Sequence, residues 1–232
     1  MELRVENLCK SFEKKNVLCN ASFNFESGKI YGLLGRNGAG KTTFFNCINQ
    51  DLLVDSGEFY FYDGESSKVN PTDIGYVIST PTVPEFLTGR EFLKFYIEIN
   101  KNQIPNPKNT EEYFDIINLS TEDRGRLMKD YSHGMKNKMQ MLVNIIANPK
   151  LLLLDEPLTS LDVVVSEEMK QILRSMKSDK IIILSTHILD LALDLCDEIV
   201  LLNHGKLEPL PKEHLDTDEF RTRIIDALKE ES

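Results

Sequence analysis

No apolar run in this 232-residue chain approaches the length of about 20 residues that a bilayer-spanning helix needs. Its first residues, Met1-Glu2-Leu3-Arg4-Val5-Glu6, lack the basic flank and apolar core of a signal peptide, so a cytosolic chain is expected. Cysteine is scarce. Cys9, Cys19, Cys47 and Cys196 are scattered without metal-ligand spacing, which leaves buried free thiols as the expectation. Positive charge is short too. With 27 Lys and Arg against 37 Asp and Glu, the net charge of −10 argues against a broad nucleic-acid footprint and predicts no nucleic-acid partner. Internal repeats and low-complexity tracts are absent. What remains, with 41% hydrophobic and 28% charged residues, is a soluble globular composition. The length suits one domain with a real core, or one domain plus an appendage.

Against these absences stands Gly35-Arg36-Asn37-Gly38-Ala39-Gly40-Lys41-Thr42, a full match to the phosphate-loop pattern G-x-x-x-x-G-K-[ST]. It follows an apolar, strand-like stretch from Ile30 to Leu34 and leads into a helix expected over Thr42–Gln50. Glycines let the backbone turn tightly and bring successive N–H groups around an anion. The helix N-terminus adds its positive dipole end. In this pattern Lys41 reaches the β- and γ-phosphates and the Thr42 hydroxyl ligates Mg²⁺. The competing reading is a glycine-rich turn with an ordinary surface lysine. A chance match in a chain this long occurs about once in a hundred, and strand and helix flank this one correctly. The chain is expected to bind a nucleoside triphosphate.

The first part of the chain reads as strands over Leu3–Asn7, Val17–Phe25 and Ile30–Leu34, with further strands at Gly57–Tyr62 and Ile74–Ile78. From Pro81 the texture turns helical, with helix-spaced apolar residues over Thr88–Glu98, Glu111–Asn118 and Gly134–Ala147. Leu151–Leu154 is a continuous apolar run, as expected for a central strand buried on both faces. Helix Val163–Met176, strand Ile181–Ser185, helix Ile188–Leu195 and strand Glu198–Leu202 then alternate as in an α/β fold. A helical segment of about residues 81–149 therefore interrupts an α/β core of about 1–80 and 150–208, and residues 209–232 are expected to form an acidic helical tail.

The Leu151 strand ends in Asp155 and Glu156. Ligands bind beyond the carboxyl ends of strands in open α/β sheets. Asp155 is placed to hold Mg²⁺, and Glu156 to take a proton from the attacking water. A strand followed by a solvated acidic turn is the alternative, which the phosphate loop makes the weaker one. His187 closes the next strand, so a γ-phosphate contact is expected of it, whereas His133, His204 and His214 have no comparable placement.

Between these elements lies Tyr131-Ser132-His133-Gly134-Met135-Lys136, at the start of a long helix. Taken together, the order resembles the ATP-binding cassette (ABC) family over nearly the whole chain. Ser132 and Gly134 match that family's signature motif, Asp155-Glu156-Pro157 its extended Walker B, Ser160-Leu161-Asp162 its D-loop, and His187 its switch histidine. Phe12 stands where the family commonly has a Tyr that stacks on adenine; a core aromatic beside the first strand is the competing reading. Ser79 stands where the family usually has the Q-loop glutamine, and its shorter side chain puts that role in doubt. Tyr131–Lys136 and Leu87–Leu93 look like cassettes of ABC-2-type bacterial exporters.

The resemblance implies a P-loop NTPase core with a mostly parallel sheet, an antiparallel β subdomain and an inserted helical subdomain. It implies an ATPase with ATP and Mg²⁺ as ligands. Gly35, Arg36, Asn37, Gly38, Ala39, Gly40, Lys41, Thr42, Thr43, Ser132, Gly134, Asp162 and Phe12 would contact nucleotide, Thr42 and Asp155 the metal, and Glu156 and His187 would serve catalysis. The implied partners are a second ABC cassette, in a homo- or heterodimer, and an integral membrane permease subunit, which places the chain peripherally on the cytoplasmic face of the cell membrane. A soluble single-cassette ATPase without a permease, an assembly factor or clamp, is the other reading.

Overall fold

Alternating apolar residues near the N-terminus build an antiparallel sheet, and continuous apolar runs further along build a mostly parallel one. The computed structural model describes residues 1–13, 15–104, 106–159 and 161–211. Two compact units result. One contains Met1–Tyr76, Lys150–Glu156 and residues 177–211; the other contains Val77–Pro149 and Pro157–Met176.

In the first unit, β1 (Glu2–Phe12) pairs antiparallel with both β2 (Lys15–Glu26) and β4 (Ser56–Tyr62), and β4 with the short β5 (Ser66–Ser67). The expected strand over Leu3–Asn7 therefore runs on to Phe12. Its register breaks between Val5 and Leu8, where Asn7 adopts a positive φ of 52°. That bulge keeps Leu3, Val5 and Leu8 all buried on one face. The second sheet runs in the order β10-β9-β3-β8-β7-β6, made of β3 (Lys29–Leu34), β6 (Ile74–Val77), β7 (Leu151–Asp155), β8 (Ile181–Thr186), β9 (Glu198–Asn203) and β10 (Lys206–Leu210). β3, β8, β7 and β9 run parallel, while β10 returns antiparallel along β9. Helices α1 (Lys41–Ile48) and α7 (Leu189–Leu195) belong to this unit.

β10 corrects the expectation of a tail from residue 209. Pro209 and Leu210 pair with Val200 and Ile199, because the last strand of a sheet tolerates a residue without an N–H. Residues 212–232, and His214 with them, lie outside the described residues. Helix α1 ends two residues before the expected Gln50, whose φ of 65° is not helical. The core collects Leu3, Val5, Leu8, Phe25, Tyr31, Leu33, Phe44, Phe45, Leu151, Leu153, Ile181 and Ile183, drawn from both sheets and α1. Each such side chain, fully withdrawn from water, contributes about 1.5–3 kcal/mol. Of the four free thiols, Cys47 and Cys196 are buried as expected, but Cys9 and Cys19 are only half-buried.

The second unit is helical: α2 (Gly89–Ile99), α3 (Thr110–Ile116), α4 (Thr121–Arg124), α5 (His133–Ala147) and α6 (Val163–Met176). Its helix starts carry strong local signals. Thr88 with Glu91, and Asn109 with Glu112, form capping boxes, while Ser120 and Ser132 cap α4 and α5. The short α4 escaped the sequence reading, since four residues show no periodicity. Arg124 closes it and is 7% exposed. Its guanidinium donates to the Leu119 carbonyl, to Glu111 Oε2 at 2.9 Å and to Asp115 Oδ1, tying α3 to α4.

Candidate functional site

Three adjacent strands, β3, β8 and β7, end side by side, and the expected nucleotide residues follow those ends. β8 lies in the middle, with Leu34 opposite Thr186 on one side and Asp155 opposite Ser185 on the other. Parallel pairing aligns all three C-terminal ends, so the loop after β3, the acidic pair after β7 and His187 after β8 converge although about 150 residues separate the first from the last.

The loop after β3 turns on glycine. Gly38 and Gly40 have φ of 77° and 106°. A Cβ at Gly40 would meet Val17 Cγ1 at 2.7 Å, so both conformation and space demand glycine there. As the N-cap of α1, Gly40 offers no side chain to bond the first-turn amides, and no acidic residue lies in that turn. The helix therefore presents an electropositive end. Lys41 is 6% exposed, and its Nζ donates to the carbonyls of Gly35 at 2.7 Å and Arg36 at 3.3 Å. Burial pushes its ammonium below the ordinary lysine value, while Glu156 and Asp155 pull it back up.

At the end of β7 the Asp155 carboxylate is held from both sides. Thr42 Oγ1 donates to Oδ2 at 2.8 Å, and Ser185 Oγ donates to Oδ1 at 2.6 Å. The Glu156 backbone N–H donates to Ser185 Oγ at 3.0 Å. Glu156 itself adopts φ 51°, an uncommon conformation for a residue with a side chain. Its carboxylate lies 3.0 Å from His187 Nδ1 and 3.5 Å from Lys41 Nζ. With Glu156 ionised, Nδ1 is the donor.

A triphosphate fits this arrangement. A buried ammonium and an uncapped helix start attract its negative charge, and Gly38 faces open space. Mg²⁺ fits as well, because the Thr42 hydroxyl and the Asp155 carboxylate are hard oxygen donors already within hydrogen-bond distance of each other. Beside the loop lies a recess of about 230 Å³ lined by residues that include Lys15, Val17, Arg36, Gly38 and His204.

Phe12, at the end of β1, is 44% exposed, with Lys10 Nζ 5.5 Å from its ring centre, which overturns the core-aromatic reading. Asn37 is exposed, and Arg36, Ala39 and Thr43 are half-buried. In the helical unit, Ser132 Oγ accepts from the Met135 N–H at 3.2 Å and so caps α5. A Cβ at Gly134 would press on Val165 Cγ1 at 3.3 Å. Asp162 Oδ1 accepts from the Val165 N–H at 3.0 Å, which makes Asp162 the cap of α6. Ser160 lies outside the described residues, and Ser79 is exposed. Sequence reasoning missed Ser185. The available signal was a hydroxyl residue inside the apolar run Ile181-Ile182-Ile183-Leu184-Ser185.

Residues 18–159 match the family model described as ABC transporter. The lantibiotic transport ATP-binding protein SrtF of Streptococcus pyogenes is 32% identical over 209 residues, covering 88% of each chain. A solved structure described as the ATP-binding subunit of an ABC transporter superposes with a TM-score of 0.79 at 23% identity, over 97% of this chain and all of the other. The dimeric post-hydrolysis state of the ATP-binding cassette MJ0796, bound to ADP and Pi, superposes at 0.75 with 20% identity, over 89% of this chain and 96% of that one.

Proposed function

This chain belongs to the ABC transporter family, and we propose that it couples ATP hydrolysis in a cassette dimer to the movement of a substrate, outward, through a separate membrane permease. The observation that carries the chemistry is the gathering of Lys41, Thr42, Asp155, Glu156 and His187 at three neighbouring strand ends. The likeness to a lantibiotic transport ATP-binding protein supports coupling to transport, and the resemblance of Tyr131–Lys136 and Leu87–Leu93 to exporter cassettes supports the outward direction. Among the described residues no helix is long and apolar enough to cross a membrane.

Lys41 and the loop amides hold the phosphates of ATP, and Thr42 and Asp155 hold Mg²⁺. Bound there, Mg²⁺ neutralises charge on the phosphate oxygens. Glu156 takes the proton of the attacking water, and His187, hydrogen-bonded to Glu156, reports on the γ-phosphate. Ser132 and Gly134, at the start of α5, serve the nucleotide of the second cassette, as does Asp162. Phe12 stacks on the base. ATP closes the dimer, and hydrolysis with release reopens it, a population shift transmitted to the permease on the cytoplasmic face of the membrane.

The Glu156→Gln variant is expected to bind ATP like the parent, to hydrolyse it about 10²–10⁴-fold more slowly, and to accumulate as an ATP-bound dimer on a sizing column. Hydrolysis near the parental rate would remove Glu156 from the role of base. Fractionation of native cells tests the coupling: the chain should sediment with membranes and a polytopic protein. Recovery entirely in the soluble fraction, bound to an assembly scaffold, would favour a permease-free ATPase instead.

A further inference from the structure

We propose that Ser185 is a positioning residue for hydrolysis, its single hydroxyl coupling the orientation of the Asp155 carboxylate to the backbone placement of Glu156. The inference rests on the reading above, in which Asp155 holds the metal and Glu156 takes the proton.

Ser185 is fully buried on β8, directly opposite Asp155 across the parallel pair. A hydroxyl has one proton to give and lone pairs to receive. Here the proton goes to Asp155 Oδ1 at 2.6 Å, and a lone pair accepts the Glu156 N–H at 3.0 Å. The two roles cannot be exchanged, because a carboxylate only accepts and an amide N–H only donates. With Oδ1 so engaged, the carboxylate turns its other oxygen, Oδ2, to the Thr42 hydroxyl at 2.8 Å. Holding its amide fixes Glu156 in the left-handed conformation at φ 51°. That conformation directs its carboxylate to His187 Nδ1 at 3.0 Å and toward Lys41 Nζ at 3.5 Å. Leu33, the register partner of Ser185 on β3, has no polar side-chain atom to replace the hydroxyl. One buried oxygen thus sets the metal ligand and the base together, without itself touching substrate.

The test uses the full chain. Ser185→Ala should lower kcat for ATP hydrolysis and raise the Mg²⁺ concentration for half-maximal rate by about 10–100-fold, as loss of a group that orients a metal ligand does. Binding of ATP in EDTA should change by less than about twofold, since Lys41 and the loop amides are untouched. A parental Mg²⁺ dependence and kcat, or an equal loss of ATP binding in EDTA, would overturn the proposal. Should Ser185→Ala fail to fold, the isosteric pair Ser185→Thr and Ser185→Val decides. Thr keeps the hydroxyl and should retain most activity and the parental Mg²⁺ dependence, where Val loses both. Equal behaviour of the pair, folded or not, would make the position one of packing alone. Glu156→Gln run alongside separates the two ideas: if it hydrolyses ATP normally, the underlying reading fails whatever Ser185 does.

Discussion

In the unit built on the two sheets, the polar side chains at the strand ends are few, largely buried and bonded to one another, whereas in the helical unit they are many and sit mostly in water. Asp155 and Ser185 are 6% and 0% exposed, and each carries hydrogen bonds on which the other depends. The helical unit holds Arg124 with Glu111 and Asp115, side chains that are 40% and 68% exposed. It caps its helices with Thr88, Asn109, Ser120 and Ser132 at the surface. A buried relay loses its function when one member is removed, because nothing solvates the orphaned partner. A half-exposed network loses stability by degrees, because water takes over what a side chain gives up. The sheet unit should therefore be brittle in activity, and the helical unit tolerant but graded in stability.

The sharpest test of that contrast is Gly40→Ala. The new side chain must adopt φ 106° and press on Val17, with about 1–3 kcal/mol of strain relieved only by moving the loop. ATP binding, read by fluorescence titration or calorimetry, should weaken by about tenfold or more, since each 1.4 kcal/mol is a factor of ten. Unchanged affinity would show that the loop is not brittle. Arg124→Ala should do the opposite. It leaves the Leu119 carbonyl without its buried donor and removes one of the two guanidinium groups on Glu111, and should cost about 1–2 kcal/mol in urea unfolding. Hydrolysis by the molecules that remain folded should be close to parental, and a hundredfold loss of kcat there would break the comparison.

The smallest effect concerns acid. Arg90 and then Arg124 hold the Glu111 carboxyl down to about 2, from an ordinary value of 4.5. A depressed carboxylate stabilises the fold fully above its unfolded value and loses that contribution as pH falls through its folded value. Wild type should exceed Glu111→Gln in stability near pH 5, and the margin should shrink as pH falls below about 4.5 and vanish only below about 2. Thermal melts across that range would show it. A margin independent of pH would mean that Glu111 acts by packing rather than by charge. Because its side chain is 40% exposed, the margin should be modest and should fall with added salt.

Much of the site was legible because its signals are local. The phosphate loop and the carboxylates after Leu151–Leu154 each lie within a handful of residues, and each forms for reasons its neighbours supply. The misses share the opposite property. β10 was hidden by Pro209, which reads as a breaker until the strand proves to be the last in its sheet. Phe12 stood between stacking on a base and filling the core, and its exposure removed the core reading. Ser185 looked like one more residue of an apolar strand.

By itself, then, the sequence determined that a triphosphate loop and an acidic strand end exist, because glycine conformations and apolar runs act over one or two turns of chain. Only the tertiary structure decided which side chains share a site. The pairing of β8 with β3 and β7 brings Ser185 beside Asp155 from 30 positions away and Thr42 beside it from 113. Strand order and register follow from packing of the whole core rather than from any local pattern, so the hydrogen bonds that join Asp155, Ser185 and Glu156 could be seen only once the sheet was closed.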